Sequence, residues 1–414
     1  MARVRPFRAL RPLPELAEKV ACLPYDVMNR AEARAMALGN PYSFLHVVRA
    51  EIDLPDSVDD YADEVYLQGR DRLHEMENEG ILAQDQQPLF YIYRQIMKGR
   101  VQTGLVATVS VDEYLANTIK KHEFTRKEKE VDRTRHFDVC DAHTEPVFLT
   151  YRKEDRISRI INGFIKFNDP VYDFKTEDDI THIFWVLDDL EAVGELEGLF
   201  SSIPYLYIAD GHHRSATSAN VALMRREKDP EAPADSEFNF FMAVVFPDED
   251  LFIMDYNRLV KDLNGMTPED FLAKLKAIYD LEEVDEAFHP HKKAQMCMYL
   301  AGRWYKVTAP PALFEGLAPV SSLDVSILQD NVLTPLLGID DPRTSMRIDF
   351  VGGIRGLDEL KRRVDEGWAA AFAMCPTTMD DLLSIADAEM IMPPKSTWFE
   401  PKLRSGLFVH KLSS

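Results

Sequence analysis

A strand, a glycine turn and the start of a helix follow one another in the segment Tyr205-Leu206-Tyr207-Ile208-Ala209-Asp210-Gly211-His212-His213-Arg214-Ser215. The apolar run before Asp210 predicts a buried strand, and Gly211 permits a tight turn. A helix is predicted to start near His212 or His213. A buried strand that leads into a helix is typical of α/β proteins, so we predict an α/β (α+β mixed) fold around this segment.

The same turn contains the groups that a phosphate site needs. A helix N-terminus offers unpaired N–H groups and a partial positive charge, and an arginine adds a fork of donors suited to phosphate. His213 is also a candidate catalytic residue. The alternative is an ordinary strand, turn and helix with an aspartate N-cap. The residues predicted to bind phosphate here are Asp210, Gly211, His212, His213, Arg214 and Ser215.

Zinc binding is a third interpretation of the paired histidines. Adjacent residues on a helix point about 100° apart, so their side chains rarely bind one metal ion together. We therefore favour phosphate over zinc at His212 and His213.

A locally basic segment lies between Asn117 and Phe137, with seven Lys or Arg residues against four Asp or Glu. The whole chain has a net charge of −22, so this segment reverses the prevailing sign. It could line a nucleotide pocket and neutralise phosphates, or it could be a solvated helix with paired charges. The residues favoured for the pocket are Lys121, His122 and Glu123 rather than Lys127 or Lys129.

Two further carboxylates are candidates for chemistry. Asp26 follows Pro24 and Tyr25 in a proline-stiffened loop, where it could orient magnesium or take a proton from a substrate hydroxyl, or start a turn. Glu145 precedes a predicted strand and could act as a base or metal ligand, or remain a solvated turn residue. We predict both as catalytic residues and as metal ligands.

The remainder of the chain shows two regions. Proline density predicts a wrapped loop over the first 50 residues, anchored by Tyr25 and Phe44. Runs at 89–93 and 101–109 predict a hairpin, and runs at 238–246 and 251–254 predict a strand pair that turns at Asp248-Glu249-Asp250. The pattern of predicted helices and strands changes near residue 262. We therefore predict an N-terminal α/β domain over 1–261 and a C-terminal α/β lobe over 262–414. Near the C-terminus, Lys395, Ser396 and Thr397 could touch a phosphate or form part of a docked terminal arm.

Composition limits the class of protein. A duplex DNA binder needs a basic face, and the acidic balance argues against that role. The four cysteines (Cys22, Cys140, Cys297 and Cys375) lie far apart, which fits neither a disulfide framework nor a zinc knuckle. No signal peptide or long apolar run is evident, so we expect a cytoplasmic protein that does not bind membranes. The sequence does not indicate an oligomeric state.

Six separated motifs resemble one family, the bacterial and archaeal domain of unknown function 1015. The family label implies no activity. The motifs, in chain order, are Pro24-Tyr25-Asp26-Val27, Lys121-His122-Glu123, His143-Thr144-Glu145-Pro146, Ala209-Asp210-Gly211-His212-His213-Arg214, Asn257-Arg258-Leu259-Val260 and Met392-Pro393-Pro394-Lys395-Ser396-Thr397.

The turn taken alone is similar to the nucleotide-binding turn of the ParB/sulfiredoxin superfamily, which includes free-serine kinases. This resemblance implies a ParB/sulfiredoxin-like nucleotide-binding core, phosphate bound by Gly211 to Arg214, and Asp26 as a counterpart of the kinases' upstream acid. Sulfiredoxin has a cysteine in this turn; none is present here, which argues against its chemistry. Walker A, G-x-G-x-x-G, G-x-S-x-G and H-E-x-x-H motifs are also absent.

The resulting hypothesis is a kinase-type phosphotransferase. It would use Mg²⁺ with ATP or ADP to phosphorylate a small hydroxylated metabolite, with free serine as one candidate. The alternative is a nucleotide-binding switch or regulatory protein with little turnover. A hydrolase or nuclease that uses the histidines is a third option.

Overall fold

The computed structural model describes residues 2–413, and its contacts divide the chain into two compact units. The first unit runs to Leu251 and resumes at Pro401, and the second spans Phe252–Glu400. The predicted boundary after residue 261 therefore lies inside the second unit. The segment from Pro401 onward, predicted as part of the C-terminal lobe, belongs to the first unit. Both units combine helices and sheets, which confirms the mixed α/β class.

The first unit contains most of the regular elements. Its strands before the second unit are β1 (Val4–Arg5), β2 (Ala9–Pro12), β3 (Leu82–Gln84), β4 (Phe90–Met97), β5 (Arg100–Ser110), β6 (Ile119–Lys120), β7 (Ala142–His143), β8 (Val147–Tyr151), β9 (Tyr172–Lys175), β10 (Ile180–Leu187), β11 (Leu206–Asp210) and β12 (Phe240–Pro247). Its helices are α1 (Ala17–Val20), α2 (Arg30–Ala37), α3 (Leu45–Val48), α4 (Asp63–Asn78), α5 (Val111–Leu115), α6 (Lys127–Cys140), α7 (Asp155–Phe167), α8 (Leu190–Phe200) and α9 (His212–Lys228).

The second unit and the returning segment complete the element order. The strands of the second unit are β13 (Ile253–Met254), β14 (Tyr256–Val260), β15 (Asp280–Val284), β16 (Gln295–Leu300), β17 (Arg303–Thr308), β18 (Ile348–Gly352), β19 (Ala370–Ala373) and β20 (Trp398–Phe399). Its helices are α10 (Pro268–Lys276), α11 (Asp324–Leu328), α12 (Leu357–Asp365) and α13 (Met379–Asp387). After Pro401 the chain forms β21 (Val409–Lys411).

The main sheet of the first unit has the strand order β6-β11-β8-β12-β5-β4-β10-β9, with β1 paired to β5. The predicted hairpin is confirmed, because β4 and β5 pair antiparallel through a two-residue loop. Lys98 and Gly99 both have positive φ there, at 51° and 78°, as a type I′ turn requires. A smaller sheet has the order β3-β2-β21-β7, so the returning C-terminal strand pairs within the first unit.

The predicted pairing of the strand at 238–246 with the one at 251–254 is wrong. Strand β12 pairs antiparallel with β5 and parallel with β8, and all of its residues are buried. A strand buried on both faces belongs at the centre of a sheet, where it needs a neighbour on each edge. The residues Asp248–Asp250 form a short 3₁₀ turn, and β13 pairs with β20 instead.

Helix α9 follows β11 directly and packs against α6. Its buried face includes several small residues, and Ala216, Ala219 and Ala222 join the core beneath the sheet. Small side chains let a helix approach its neighbours closely. The N-terminus of α9 is thereby fixed beside the end of β11.

The proline-rich first 50 residues form short strands and helices rather than one long element. Tyr25 and Phe44, the predicted anchors, are both buried. In the second unit the larger sheet has the order β15-β17-β16-β19-β14-β18, and α11 continues into a π-helical turn at Gln329–Leu333. Between residues 2 and 413, no helix is long and apolar enough to span a bilayer.

Candidate functional site

Strand β11 ends at Asp210, and Gly211 turns the chain into α9. Gly211 has a φ of 96°, which side-chain-bearing residues rarely adopt, and its N–H donates to Asp210 Oδ1 at 2.8 Å. A Cβ at this position would lie 3.1 Å from Cζ and Nε of Arg214. The glycine is therefore needed both for the turn and for the close approach of the arginine.

The N-terminus of α9 has unsatisfied backbone donors. The first intrahelical bond runs from Ser215 N to Gly211 O at 2.9 Å, so the N–H groups of His212, His213 and Arg214 precede the helical ladder. No side chain within residues 2–413 caps this end of the helix. The Ser215 hydroxyl donates back to Gly211 O at 3.2 Å. The backbone donors, more than this hydroxyl, give the turn its capacity to bind an anion.

The Arg214 side chain lies beneath the turn and is only 3% exposed. It donates to Pro146 O and lies 3.7 Å from Asp210 Oδ2, while its Nε has no hydrogen-bond partner among the residues that the structure describes. Burial lowers the pKa of Arg214, but the carboxylates of Asp210, Asp26 and Glu145 more than offset that effect and leave it raised. The guanidinium therefore stays charged and links the turn to the segment before β8.

Lys402, from the returning C-terminal segment, pairs with Asp210. Its Nζ lies 3.0 Å from Asp210 Oδ2. Burial raises the pKa of Asp210, but the attraction of Lys402 and Arg214 outweighs it, so the pKa lies well below its ordinary value. The two cations thus hold Asp210 ionised and compensate its charge next to the helix terminus.

The two histidines of the turn bind the segment before α6. His212 Nε2 accepts the N–H of His122 at 3.4 Å, and His213 Nε2 accepts the N–H of Arg126 at 3.0 Å. Each ring that accepts through Nε2 must carry its proton on Nδ1 when neutral. Nδ1 of His212 faces Glu123 Oε2 at 3.5 Å. Burial lowers the pKa of both histidines, so both rings are neutral at pH 7.

His122 is buried against His212, with the two rings edge to face at 4.4 Å. Neither ring nitrogen of His122 has a hydrogen-bond partner in the described part of the chain, and burial lowers the pKa of His122 to about 4. Nearby, the exposed Arg126 guanidinium forms no ion pair within residues 2–413, although its charge acts on His213. Two unpartnered polar groups therefore flank the turn, one buried and one exposed.

Glu145 holds the loop that carries Asp26. Its carboxylate is buried, Oε1 accepts the N–H of Tyr25 at 2.9 Å, and Oε2 lies 4.0 Å from Arg133. Burial raises the pKa of Glu145, and Arg133 and Arg214 offset part of that shift. Asp26 is exposed and acts electrostatically on both His213 and Arg214. Glu145 thus supports the loop from below, and Asp26 presents a carboxylate to solvent beside the turn.

Magnesium ligation by Asp26 and Glu145 stays a prediction. In the described part of the chain, no group of three or more His, Cys, Asp or Glu side chains is arranged to hold a metal ion. Oε1 of Glu145 is engaged by the N–H of Tyr25, whereas Oε2 is buried with no hydrogen-bond partner among the described residues and lies 4.0 Å from Arg133. Asp26 is the carboxylate of the predicted pair that faces solvent.

The structure thus brings most of the predicted site residues together. The exception is Lys121, whose ammonium lies 4.0 Å from the centre of the Tyr114 ring, directed into α5. The Lys395 ammonium lies beside the Tyr256 ring in the second unit. Residues that the site prediction did not include are Lys402, Arg126, Arg133 and Tyr25. Arg126 and Arg133 lay within the basic segment, whereas nothing local in the sequence linked Lys402 to Asp210.

The family model described as "Protein of unknown function (DUF1015)" matches residues 4–326. The chain belongs to this family. Five of the six motifs that resemble the family lie within the matched range, and Met392–Thr397 lies beyond it. No curated protein matches the sequence.

Several solved structures are similar to parts of the DUF1015 chain. A free serine kinase in complex with AMP is 11% identical, with a TM-score of 0.37, and the match covers 73% of this chain and 92% of the kinase. SbnI with a C-terminal truncation, from Staphylococcus aureus, is 10% identical, with a TM-score of 0.38 and coverages of 72% and 85%. A conserved hypothetical protein from Pyrococcus furiosus is 12% identical, with a TM-score of 0.31 and coverages of 75% and 97%.

Proposed function

We propose that the turn from Asp210 to Ser215 binds the phosphates of a nucleotide, ATP or ADP, and that the protein transfers a phosphoryl group from it to a hydroxyl of a small metabolite. One observation carries this proposal. The 17-residue helix α9 begins at a glycine with positive φ, no side chain caps it, and its first three N–H groups precede the helical ladder. Such a helix terminus is suited to bind phosphate.

The charges around the turn support a role for the backbone in this binding. The buried Arg214 and the partly buried Lys402 both pair with Asp210, so they fix the turn more than they attract an anion. The exposed Arg126 has no such partner within residues 2–413, and it would supply the positive charge that faces the phosphates. The neutral His213 adds Nδ1–H as a further donor beside the helix terminus.

Asp26 would orient the acceptor. In the proposed step the hydroxyl oxygen of the metabolite forms a bond to the terminal phosphorus, and the bond from that phosphorus to the nucleotide breaks. ADP leaves if ATP is the donor, and AMP leaves if ADP is the donor. The hydroxyl proton passes to the Asp26 carboxylate. Glu145 acts as a positioning residue, because its hydrogen bond to Tyr25 N fixes the backbone next to Asp26.

Magnesium, when bound with the nucleotide, would neutralise phosphate charge. Asp26 is the residue of this chain that could contact it. Free serine is the first acceptor to test, because the turn resembles that of free-serine kinases.

Phosphorus NMR tests the proposal. The full chain is incubated with ATP or with ADP, magnesium and a panel of hydroxylated metabolites that includes serine. We expect a new phosphoester signal with at least one acceptor. Nucleotide binding without any phosphoester would contradict phosphotransfer and favour the nucleotide-binding switch.

An Asp26→Asn variant tests the role of the carboxylate. We expect turnover to fall by about 100-fold or more, the usual contribution of a positioned acid or base, with little change in nucleotide affinity. Asp173→Asn is the matched control, since Asp173 is also exposed in the first unit but lies on strand β9. Equal turnover in the two variants would remove Asp26 from the mechanism.

A further inference from the structure

The second unit contains a cavity of about 270 Å³ that the proposed function does not use. Its lining includes Arg258 from β14, Gln329 from the π-helical turn, and Pro393 and Pro394 from the segment before β20. The apolar part of the wall includes Val325 and Phe350. The charged side chains of Asp340, Asp341 and Arg343 also line the cavity, and Arg343 pairs with Asp341 at 2.9 Å. Polar and charged groups thus meet apolar walls in one cavity, which is the usual composition of a small-molecule site.

Arg258 is the unusual member of this lining. Its side chain is 3% exposed, yet no carboxylate in the described residues lies within 4.0 Å of the guanidinium. It donates to Tyr256 O and, at 3.4 Å, to Pro394 O, and it lies over the Phe350 ring. Burial lowers the pKa of Arg258 to about 10. Buried charges in proteins are normally paired, so this arginine lacks a counter-ion.

Two sequence motifs that the phosphate site leaves unexplained meet at this cavity. They are Asn257-Arg258-Leu259-Val260 and Met392-Pro393-Pro394-Lys395-Ser396-Thr397. Asn257 is buried and accepts the N–H of Met374 at 2.9 Å, and the Ser396 hydroxyl donates to Pro393 O at 2.6 Å. Both segments are therefore held in place by internal hydrogen bonds, so that Arg258 is pre-positioned against the cavity.

Gln329, which also lines the cavity, has a side-chain oxygen that can accept a hydrogen bond from a ligand. Its Nε2 donates to Ile339 O at 2.7 Å and to Thr334 Oγ1 at 3.0 Å, which fixes the amide. Oε1 accepts no hydrogen bond from residues 2–413, and it is the free acceptor of a residue that lines the cavity. Gln329 begins a π-helical turn, a distortion that is frequent at functional sites.

We infer that this cavity binds a small organic carboxylate that carries a hydroxyl or amino group. The carboxylate pairs with the Arg258 guanidinium, the hydroxyl or amino group donates to Gln329 Oε1, and the carbon skeleton lies against Val325 and Phe350. A cavity of about 270 Å³ lies near the lower limit of the usual range for small-molecule sites, which suits a short hydroxy or amino acid. The cavity is lined by residues of the second unit alone, and the inference does not depend on the function proposed for the turn.

Titration of the full chain, without nucleotide, tests the inference. The probes are L-lactate, propionate, lactamide and inorganic phosphate, at constant chloride, with binding followed by saturation-transfer NMR. We expect saturable binding of L-lactate, weaker binding of propionate, which lacks the hydroxyl, and none of lactamide, which lacks the charge. Absence of carboxylate binding would overturn the inference, and tighter binding of phosphate than of either carboxylate would overturn the assignment to carboxylates.

Variants of arginines in the second unit test whether L-lactate binds in this cavity. Arg258→Gln removes the charge and should weaken L-lactate binding by roughly tenfold or more, as expected for loss of a charge-assisted hydrogen bond. Arg303→Gln is the matched control: Arg303 is an exposed arginine of the same unit that pairs with Glu283. We expect the control to bind L-lactate as the wild type does. Equal affinity in the two variants would contradict the inference.

A second variant covers the case in which Arg258→Gln does not fold. Val325→Phe enlarges a wall residue into the cavity and leaves Arg258 and its backbone acceptors in place. We expect loss of L-lactate binding without a lower melting temperature. Binding of L-lactate by the folded variant at wild-type affinity would overturn the inference.

Discussion

His122 and His212 meet in the interior beside the phosphate turn, where both rings are uncharged at neutral pH. Burial is the main cause, because it lowers the pKa of His122 to about 4 and that of His212 well below its ordinary value. Protonation of His122 would place a positive charge with no hydrogen-bond partner among the described residues in this interior. The packing of the segment before α6 against α9 therefore depends on pH.

The contribution of His122 to this dependence is measurable. The folded pKa of about 4 lies below the unfolded value of about 6.5, so the unfolded chain takes up the proton first as pH falls. The stability that depends on a neutral His122 is fully present above about pH 6.5 and is lost on acidification toward pH 4. Between pH 7 and pH 5 the loss from this one group is about 2 kcal/mol.

The His122→Phe variant removes the titrating ring while keeping an aromatic side chain. Urea denaturation of wild type and variant at pH 7 and pH 5 gives the difference in the free energy of unfolding at each pH. On going from pH 7 to pH 5, we expect the free energy of unfolding of the variant to rise by about 2 kcal/mol relative to that of the wild type. Parallel losses in the two proteins would show that folding does not lower the pKa of His122.

At the scale of elements, the order of strand, turn and helix from 205 to 228 could be predicted because each part has a local signal. The apolar run, Gly211 and the helix that follows need no distant partner to be recognised. The pairing of β12 could not be predicted in this way. Both of its neighbours, β5 and β8, come from distant parts of the chain, and the choice of neighbour depends on burial of both faces.

The turn before α9 makes a prediction about stability. Gly211→Ala and Gly99→Ala both place a side chain at positive φ, which costs roughly 1–2 kcal/mol. A Cβ at Gly99 meets no atom within 4 Å, whereas one at Gly211 crowds Arg214. We expect Gly211→Ala to lose about 1 kcal/mol more than Gly99→Ala, through the weakened bond from Arg214 to Pro146 O. Urea denaturation at pH 7 measures the free energy of unfolding of both variants. Equal losses of free energy would argue against a guanidinium held under the turn.

At the scale of the whole molecule, the chain leaves the first unit at Leu251 and returns to it at Pro401. This route brings Lys402 to Asp210, across 192 positions of sequence. Patterns within short windows cannot reveal such a pairing, so the sequence predicted Asp210 but not its partner. For the same reason, the change in the pattern of predicted elements near residue 262 predicted a second lobe but not the return of the chain to the first unit.

The returning segment therefore contributes to nucleotide binding in the proposed function. Without Lys402, Arg214 alone would compensate the Asp210 carboxylate beside the incoming phosphates. We expect Lys402→Gln to weaken ADP binding by about tenfold, or ~1.4 kcal/mol. Lys411→Gln is the matched control, because Lys411 lies in the same segment and pairs with Glu77 at 3.0 Å. ADP affinities are measured by calorimetry. Similar affinities in the two variants would show that Lys402 does not contribute to phosphate binding.

The most direct test of the phosphate turn is a calorimetric titration of ADP into the wild type, Gly211→Ala and Gly99→Ala. All three proteins keep the same charges, and both variants place an alanine at positive φ. We expect wild type and Gly99→Ala to bind ADP alike, and Gly211→Ala to bind at least about tenfold more weakly, because the helix N–H groups are displaced. ADP affinity that is equal in all three, or absent from the wild type, would contradict nucleotide binding at the N-terminus of α9.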